Sequence, residues 1–259
     1  MPRRGGPPWI RALGPLVLAD LRHRYAGSPL GACWALLVPL IEVMAYVLLF
    51  ALIVRPGLGH EGVSMALFLA SGILPWASLR EGLEGAAAVL GENRWIKRSS
   101  VPVELLVARQ AAAAVPRTAL GFGLILLVAL PAGKPFGPGW ALPVVALGLQ
   151  TAAVYGLGLG LAPLAALHPD LRPVLTSSLT LLTFASPILY PETILGPAAR
   201  SLLAWNPFTH LLRLYRVPLE GVGRVTAVDV AAALATPLVC LGVGSLLKGR
   251  FWWPARDRL

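Results

Sequence analysis

Six stretches of this chain carry at most one charged residue each and run for 16 to 28 residues. They cover residues 30–54, 63–79, 118–133, 140–167, 173–191 and 230–247. An α-helix needs about 20 apolar residues to cross the hydrocarbon core of a bilayer, and a helix that is apolar all round has no face suited to water. The third stretch is short, but an alanine run at 111–114 extends its start. The pattern predicts an all-α integral membrane protein with six transmembrane helices.

Composition supports this prediction. Charged residues make up 13% of the 259 residues and hydrophobic residues 56%, whereas an ordinary soluble domain is about 25% charged. Two cysteines and four dispersed histidines cannot build a disulfide scaffold or a zinc cluster. The net charge is +10, but the basic residues flank the apolar stretches and form no single patch. Anionic lipid headgroups are therefore favoured over nucleic acid as their partner.

The positions of lysine and arginine predict the orientation of the spans. If both termini are cytoplasmic, 16 of the 22 basic residues lie on the cytoplasmic side and six lie outside, as the positive-inside rule favours. The apolar pieces between residues 195 and 228 are too short to cross, and we expect them to form short re-entrant helices on the outer side. The chain is then one membrane domain over residues 1–259, with the six-span bundle at 30–248 and a cytoplasmic tail at 249–259.

The N-terminal segment, residues 1–29, predicts a helix that lies in the membrane interface. Its apolar residues Ile10, Leu13, Val17 and Leu21 recur at helical spacing, with charged residues between them. An apolar stripe beside a basic face is the pattern of an interfacial amphipathic helix. The alternative is a disordered basic tail that leads directly into the first span.

Residues 20–40, DLRHRYAGSPLGACWALLVPL, join this helix to the first span. Gly27 and Gly31 permit a sharp bend from the membrane plane. Ser28 is expected to cap the new helix and Pro29 to occupy its first position. The residues expected to form this interfacial entrance are Arg22, Arg24, Tyr25, Ser28 and Trp34.

Four further motifs follow in order along the chain. They are SGILPW at 71–76, ENRWIKR at 92–98 followed by VPVE at 101–104, SPILYP at 186–191, and WNPF at 205–208. Together with the basic entrance, they resemble the permease subunits of ABC exporters for bacterial surface polysaccharides such as O-antigen, capsule and teichoic acid. The resemblance extends over roughly residues 16–250.

The resemblance implies a homodimer of six-span subunits, bound to two copies of a cytoplasmic ABC ATPase in the bacterial inner membrane. The substrate it implies is a lipid-linked polysaccharide. The sequence has no Gly-x-x-x-x-Gly-Lys-Ser/Thr loop to bind nucleotide phosphates, since its only Gly-Lys pair, at 133–134, is followed by Pro135. ATP and magnesium are therefore expected on the partner ATPase, with no metal, no other cofactor and no catalytic residue in this chain.

A basic cluster between the second and third spans is interrupted by apolar Trp95. It reads either as an anchor on the inner leaflet or as a docking segment for the ATPase, and both can hold. The loop after span four reads His-Pro-Asp-Leu-Arg, where the family usually has Phe-Arg-Asp-Val-Arg. The expected coupling residues are Arg94, Trp95, Lys97, Arg98, Asp170 and Arg172.

Glu42 lies inside the first span, where the family usually has an apolar or amide residue. A carboxylate inside a membrane is costly and points to function; the alternative is a structural residue, either protonated or paired with an arginine such as Arg117. Aromatic rings could hold sugar faces along a path, although for any single ring lipid contact or core packing is the simpler interpretation. The residues expected on the translocation path are Glu42, Tyr46, Phe50, Phe184 and Tyr190, with Trp76 considered beside them.

Two other functions remain open at this stage. A permease for drugs or small lipids shares the six-span plan, and the basic entrance favours polysaccharide over it. A membrane-embedded enzyme acting on lipids would need several carboxylates or histidines at one membrane face, and the sequence shows no such constellation.

Overall fold

The computed structural model of the chain describes residues 8–24, 27–49, 62–92, 101–129, 138–220 and 224–258. Every regular element within these ranges is helical. The α-helices are α1 (Pro8–Arg24), α2 (Trp34–Leu49), α3 (Gly62–Glu92), α4 (Val103–Ala113), α5 (Val115–Ala129), α6 (Leu142–Leu167), α7 (Leu171–Phe184), α8 (Pro197–Leu203), α9 (Pro207–Glu220) and α10 (Ala227–Arg258). Short 3-10 turns cover Gly31–Cys33, Pro138–Ala141 and Glu192–Ile194.

Among the described residues, three helical segments are long and apolar enough to cross a bilayer. They are Val103–Leu127, which joins α4 to α5, Gly139–Leu167, which contains α6, and Ala227–Arg258, which is α10. They overlap the third, fourth and sixth predicted spans. The all-helical class and the membrane character are confirmed at this level.

The other three predicted spans differ in their bounds from the helices that overlap them. Helix α2 has 16 residues, and residues 50–54 of the predicted span lie outside the described chain. Helix α3 continues past residue 79 to Glu92. Helix α7 ends at Phe184 and not at residue 191, because Pro187 lacks an amide hydrogen and restricts the residue before it.

The segments outside the predicted spans are also largely helical. Residues 8–24 form a helix, as predicted, and the alternative of a disordered tail is wrong over that range. The short pieces predicted between 195 and 228 form α8 and α9. The expected C-terminal tail continues α10 without a break as far as Arg258.

Helix α3 is the central element of the bundle and packs against α2, α4, α5, α6, α7 and α9. Its residues Leu69, Ile73 and Trp76 share one buried cluster with Leu211 and Tyr215 of α9. A second cluster lies nearer the end of α3, where Val89 and Leu90 meet α4 and α6. Because α3 touches so many neighbours, its polar residues are placed where several helices converge.

Helices α6 and α10 form the largest helix–helix interface, and glycines bring their backbones together. A Cβ on Gly156 would lie 2.5 Å from the backbone nitrogen of Leu241, and one on Gly244 would overlap the carbonyl oxygen of Gly156. Gly160 packs against Leu247 further along. The pairing of 156 with 241 and of 160 with 247 makes the helices parallel. Small residues four apart permit this close approach in membrane helices.

Hydrogen bonds show which helix ends meet at one end of the bundle, which we call the Lys248 end. Lys248 of α10 pairs with Glu104 at the start of α4. Arg172 at the start of α7 donates to the carbonyl of Ala88 near the end of α3, at 3.2 Å. Arg258 near the end of α10 donates to the last carbonyl of α6 at 3.3 Å.

At the opposite end of the bundle, which we call the Asp229 end, the start of α10 and the start of α3 lie near α9 and the end of α7. Asp229 at the start of α10 accepts a 2.7 Å hydrogen bond from Arg213 of α9. Arg216 of α9 donates to the carbonyl of Ile188, after the end of α7, at 2.6 Å. The same guanidinium lies 4.0 Å from the ring centre of Phe68, near the start of α3. Thus α3 runs from the Asp229 end to the Lys248 end, and α7 runs the other way.

Candidate functional site

A polar cleft with a volume of about 830 Å³ lies between α2, α3, α4, α5 and α7. It follows α3 from Ile73 to Ala88, a length of about 22 Å at 1.5 Å per residue. Its charged and polar lining residues are Glu42, Arg80, Glu81, Glu84, Gln110, Arg117 and Thr183, and its aromatic ones are Tyr46 and Trp76. The cleft therefore combines hydrogen-bonding groups with aromatic rings in a largely apolar bundle.

Arg117 of α5 organises the charges of this cleft. It forms an ion pair with Glu42 of α2 and a second one, at 3.4 Å, with Glu81 of α3. On the same helix as Glu81, Arg80 pairs at 3.1 Å with Glu84, which lies four residues further along. The carboxylate in the first span is thus paired with Arg117, the partner that the structural alternative named.

Trp76 forms the link between the cleft and the Asp229 end. Its indole nitrogen donates to the hydroxyl of Thr183 on α7 at 2.8 Å, and its ring meets the ring of Phe208 edge-on, with 4.9 Å between centroids. Asn206 caps α9 by accepting from the backbone of Phe208 at 3.0 Å, while its amide donates to Ser186 at 2.8 Å. Three motifs that lie far apart in sequence therefore meet in one cluster.

Arg216 holds the same cluster together from α9. It is 7% exposed and donates to the carbonyls of Pro187 and Ile188, where the chain turns after α7. Gly72 is required beneath it, because a Cβ there would lie 2.8 Å from both the guanidinium and the carbonyl oxygen of Ile188. The backbone carbonyls that follow the end of α7 thus accept hydrogen bonds from a buried arginine.

The residues predicted for the translocation path fall into two groups. Glu42 and Tyr46 line the cleft. Phe184 is 65% exposed, and its carbonyl accepts a 2.8 Å hydrogen bond from the hydroxyl of Tyr190, so these two lie together at the end of α7 outside the described cleft lining. Phe50 lies outside the described residues. Their roles in transport stay predictions.

The coupling residues predicted between the second and third spans, Arg94, Trp95, Lys97 and Arg98, lie outside the described residues. Arg172 reaches α3 just before that loop, through Ala88 and against Gly91. A cation beside the last carbonyls of a helix stabilises that end. Asp170 is exposed at the start of α7. Arg172 is thus a residue that fixes the end of α3.

At the interfacial entrance, both predicted bends are present, since Gly27 and Gly31 have positive φ angles of 82° and 48°. The predicted capping role of Ser28 is wrong. The helix begins at Trp34 after a 3-10 turn, and the hydroxyl of Ser28 accepts a 2.9 Å hydrogen bond from the indole of Trp34. Pro29 likewise precedes the helix. Arg22 is exposed; the side chain of Arg24 and all of Tyr25 lie outside the described part.

Helix α1 is attached to the bundle by a charge pair. Asp20 forms an ion pair with Arg109 of α4, with 3.2 Å between a carboxylate oxygen and Nε, and the two helices are in contact. Sequence analysis counted Arg109 only as a cytoplasmic charge. Its partner lies 89 residues earlier in the chain, so spacing could not reveal the contact.

A network at the Asp229 end was also missed. Asp229 accepts from Arg213 at 2.7 Å, faces His210 at 2.8 Å and forms a reciprocal cap with Thr226. Arg213 also donates to Glu192 at 2.5 Å and 3.1 Å. The carboxylates of Glu192 and then Asp229 raise the pKa of Arg213 above its ordinary value. The Thr-x-x-Asp spacing was the signal for this helix start.

A helical bundle with three membrane-length helices in its described part and a charged cleft beside its central helix is the architecture of an integral membrane protein. No protein-family model matches the chain. It is 31% identical over 236 residues to the O-antigen export system permease protein RfbA of Myxococcus xanthus, covering 89% of this chain and 88% of that protein. It is 22% identical over 246 residues to the O-antigen export system permease protein RfbA of Klebsiella pneumoniae, covering 90% of each chain. With the polysialic acid transport protein KpsM of Escherichia coli it shares 24% identity over 204 residues, 78% of each chain. The chain belongs to the family of permease subunits of polysaccharide ABC exporters.

Proposed function

We propose that this protein is the membrane subunit of an ATP-driven exporter that moves a lipid-linked surface polysaccharide across the bacterial inner membrane. The observation that carries the proposal is similarity over nearly the whole chain to an O-antigen export permease. The convergence of three motifs on Trp76, Asn206 and Arg216 supports it. These motifs build a specific junction beside the polar cleft.

The exporter is a homodimer of this chain with two copies of an ABC ATPase. The ATPase supplies ATP and magnesium binding, since this sequence has no phosphate-binding loop. The loop with Arg94, Trp95, Lys97 and Arg98 docks on it. Support comes from Arg172, which fixes the end of α3 directly before this loop, so that a push on the loop passes into the helix that lines the cleft.

The chain crosses the membrane six times with both termini in the cytoplasm. Arg172 at the start of α7 donates to a carbonyl near the end of α3, and Lys248 in the second half of α10 pairs with Glu104 at the start of α4. Helices that cross a membrane alternately in opposite directions would make these contacts. The 16-to-6 distribution of basic residues favours a cytoplasmic position for the Lys248 end.

Labelling of single cysteines tests this orientation. A membrane-impermeant maleimide added outside intact cells is expected to modify a cysteine at position 134 and not one at position 97, in a variant whose Cys33 and Cys240 are serine. After the membrane is permeabilised, both positions should react. Labelling of position 97 alone in intact cells would reverse the proposed topology.

The translocation path runs past Glu42 and Tyr46 in the cleft and continues past Phe50, Phe184 and Tyr190 toward the outside. A moving polymer has to be held weakly, and aromatic stacking contributes only about 1 kcal/mol beyond the area it buries. The exposure of Phe184, 65%, leaves its ring available to a sugar. Closure of the ATPase moves the end of α3 and changes the width of the cleft.

Deletion of the gene in its host tests the function. Loss of a surface polysaccharide is expected, with the lipid-linked polymer retained inside, and a plasmid copy of the wild-type gene should restore it. A copy carrying Arg94→Glu, Lys97→Glu and Arg98→Glu should insert into the membrane but restore less than about a tenth of the surface polymer. The measurements are immunoblots of surface and internal polysaccharide.

A matched control reverses three basic residues elsewhere, Arg250, Arg256 and Arg258, in the last turns of α10. This variant is expected to export more polymer than the loop variant at equal protein level. Normal surface polysaccharide in the deletion strain would refute the proposed function. Normal export by the loop variant would make the cluster a lipid anchor only.

A further inference from the structure

The charges of the polar cleft are nearly balanced, and its cations are already paired. Arg80 is bound to Glu84, and Arg117 lies between Glu42 and Glu81. Both arginines in the described lining therefore have carboxylate partners. Three carboxylates and two guanidinium groups give the lining a formal charge of −1.

This arrangement suits the hydroxyl groups of a sugar. Paired carboxylates keep oxygen lone pairs that accept hydrogen bonds, and guanidinium groups have five N–H donors, of which an ion pair uses only some. Gln110 and Thr183 add an amide and a hydroxyl to the wall, and Tyr46 offers a ring. A neutral sugar can exchange its hydrogen bonds to water for these without bringing a charge into the cleft.

An acidic sugar faces different conditions. Each carboxylate or phosphate that enters meets a net negative lining whose two cations are engaged, and it loses hydration as it enters. Like charges brought together in a partly buried site repel each other more strongly than in water. A polyanion would have to compete with Glu84 for Arg80, or with Glu42 and Glu81 for Arg117, to gain a full ion pair with either arginine.

We propose that this cleft binds uncharged glycan segments and discriminates against polyanionic ones, with Glu42, Glu81 and Glu84 as the residues that set this specificity. The inference rests on the proposed function and specifies the substrate class that passes the cleft. Glu42 is important for this specificity, because it supplies a carboxylate from α2 to the cleft that Glu81 and Glu84 line from α3.

Binding of matched oligosaccharides to the purified full-length protein tests the inference. The probes are an oligogalacturonate and its fully methyl-esterified form of the same length, which differ in charge and share a backbone. The ester is expected to bind at least about fivefold more tightly than the acid, as measured by saturation-transfer NMR titration. Equal or tighter binding of the acid would overturn the inference, and so would the absence of binding by both probes.

Two variants probe the mechanism of the discrimination. Glu42→Gln removes one negative charge while Glu81 stays paired with Arg117, and Glu84→Gln frees Arg80. Each is expected to bring the affinities for acid and ester at least about threefold closer together. Glu104→Gln, which removes a carboxylate paired with Lys248 outside the cleft, should leave the ratio unchanged. A ratio that responds equally to all three, or to none, would contradict the proposal.

The polymer exported in the host provides an independent test. Chemical analysis of the polysaccharide that disappears in the deletion strain is expected to find no carboxylate or phosphate in its repeating unit. An acidic repeating unit would overturn the inference and leave the proposed export function intact. The absence of any lost polysaccharide would instead refute the export function.

Discussion

Replacement of Gly244 with alanine is expected to abolish accumulation of the folded protein. The added methyl group would overlap the carbonyl oxygen of Gly156 and lie 2.8 Å from the carbonyl carbon of the same residue. Since both contacts are with backbone, no side chain can rotate away, and the two helices have to separate along the largest interface of the bundle. Overpacking costs about 1–3 kcal/mol where side chains can adjust, and we expect the upper end of that range or more here.

The control for this variant lies in the same helix. A Cβ on Gly242 would meet no atom within 4 Å, so Gly242→Ala makes the same chemical change without a clash. Size-exclusion chromatography of fluorescent fusions measures the result. The monodisperse peak should fall more than about tenfold for Gly244→Ala, as 1.4 kcal/mol corresponds to tenfold, and stay near wild type for Gly242→Ala. Equal peaks for both variants would exclude close packing at Gly244.

The sequence predicted the helical class and the approximate positions of the three membrane-length helices, because length and hydropathy are local properties. It also predicted the bend at Gly27 and Gly31, where the geometry depends on glycine itself. The motifs led to the correct family. The contacts between the motifs could not be predicted from sequence, such as the packing of Trp76 in one motif against Phe208 in another.

Contacts between distant residues account for most of what sequence analysis missed. Sequence analysis assigned no partner to Arg213 or Arg216, yet each donates to acceptors on other elements. Asn206 and Pro207, which sequence analysis quoted only as part of a motif, are the cap and first residue of α9. The glycine pair at 156 and 160 was present in the sequence as a small-residue repeat, but its partner Gly244 follows from tertiary structure alone.

The cleft shows the same limit. Glu42 and Arg117 were recognised as possible partners from their chemistry, while Glu81 was not, since it lies in the charged half of α3 beyond the predicted span. A span predicted from hydropathy ends at the first charged residues, even where the helix continues. Here the charged turns of α3 continue the helix and supply one wall of the site.

Replacement of Arg216 with methionine is expected to disrupt the junction of α3, α7 and α9. Arg216 is 7% exposed, and its guanidinium donates to two backbone carbonyls and lies over the ring of Phe68. Methionine fills similar volume but donates no hydrogen bond, so the carbonyls of Pro187 and Ile188 lose these donors. Each buried group left unsatisfied costs about 1–3 kcal/mol, giving a total of about 3 kcal/mol or more.

The thermal midpoint of the purified protein measures this loss, with surface polysaccharide in the complemented deletion strain as a second readout. Arg224→Met is the matched control, because Arg224 is an exposed arginine at the same end of the bundle. We expect a clear fall in the midpoint and in export for Arg216→Met and neither for Arg224→Met. Arg216→Lys should lie between them, since an ammonium keeps the charge without the planar fork that reaches two carbonyls. If Arg216→Met matched wild type in midpoint and export, the buried arginine would not hold the motifs together, and the junction would depend on Trp76 and Phe208 alone.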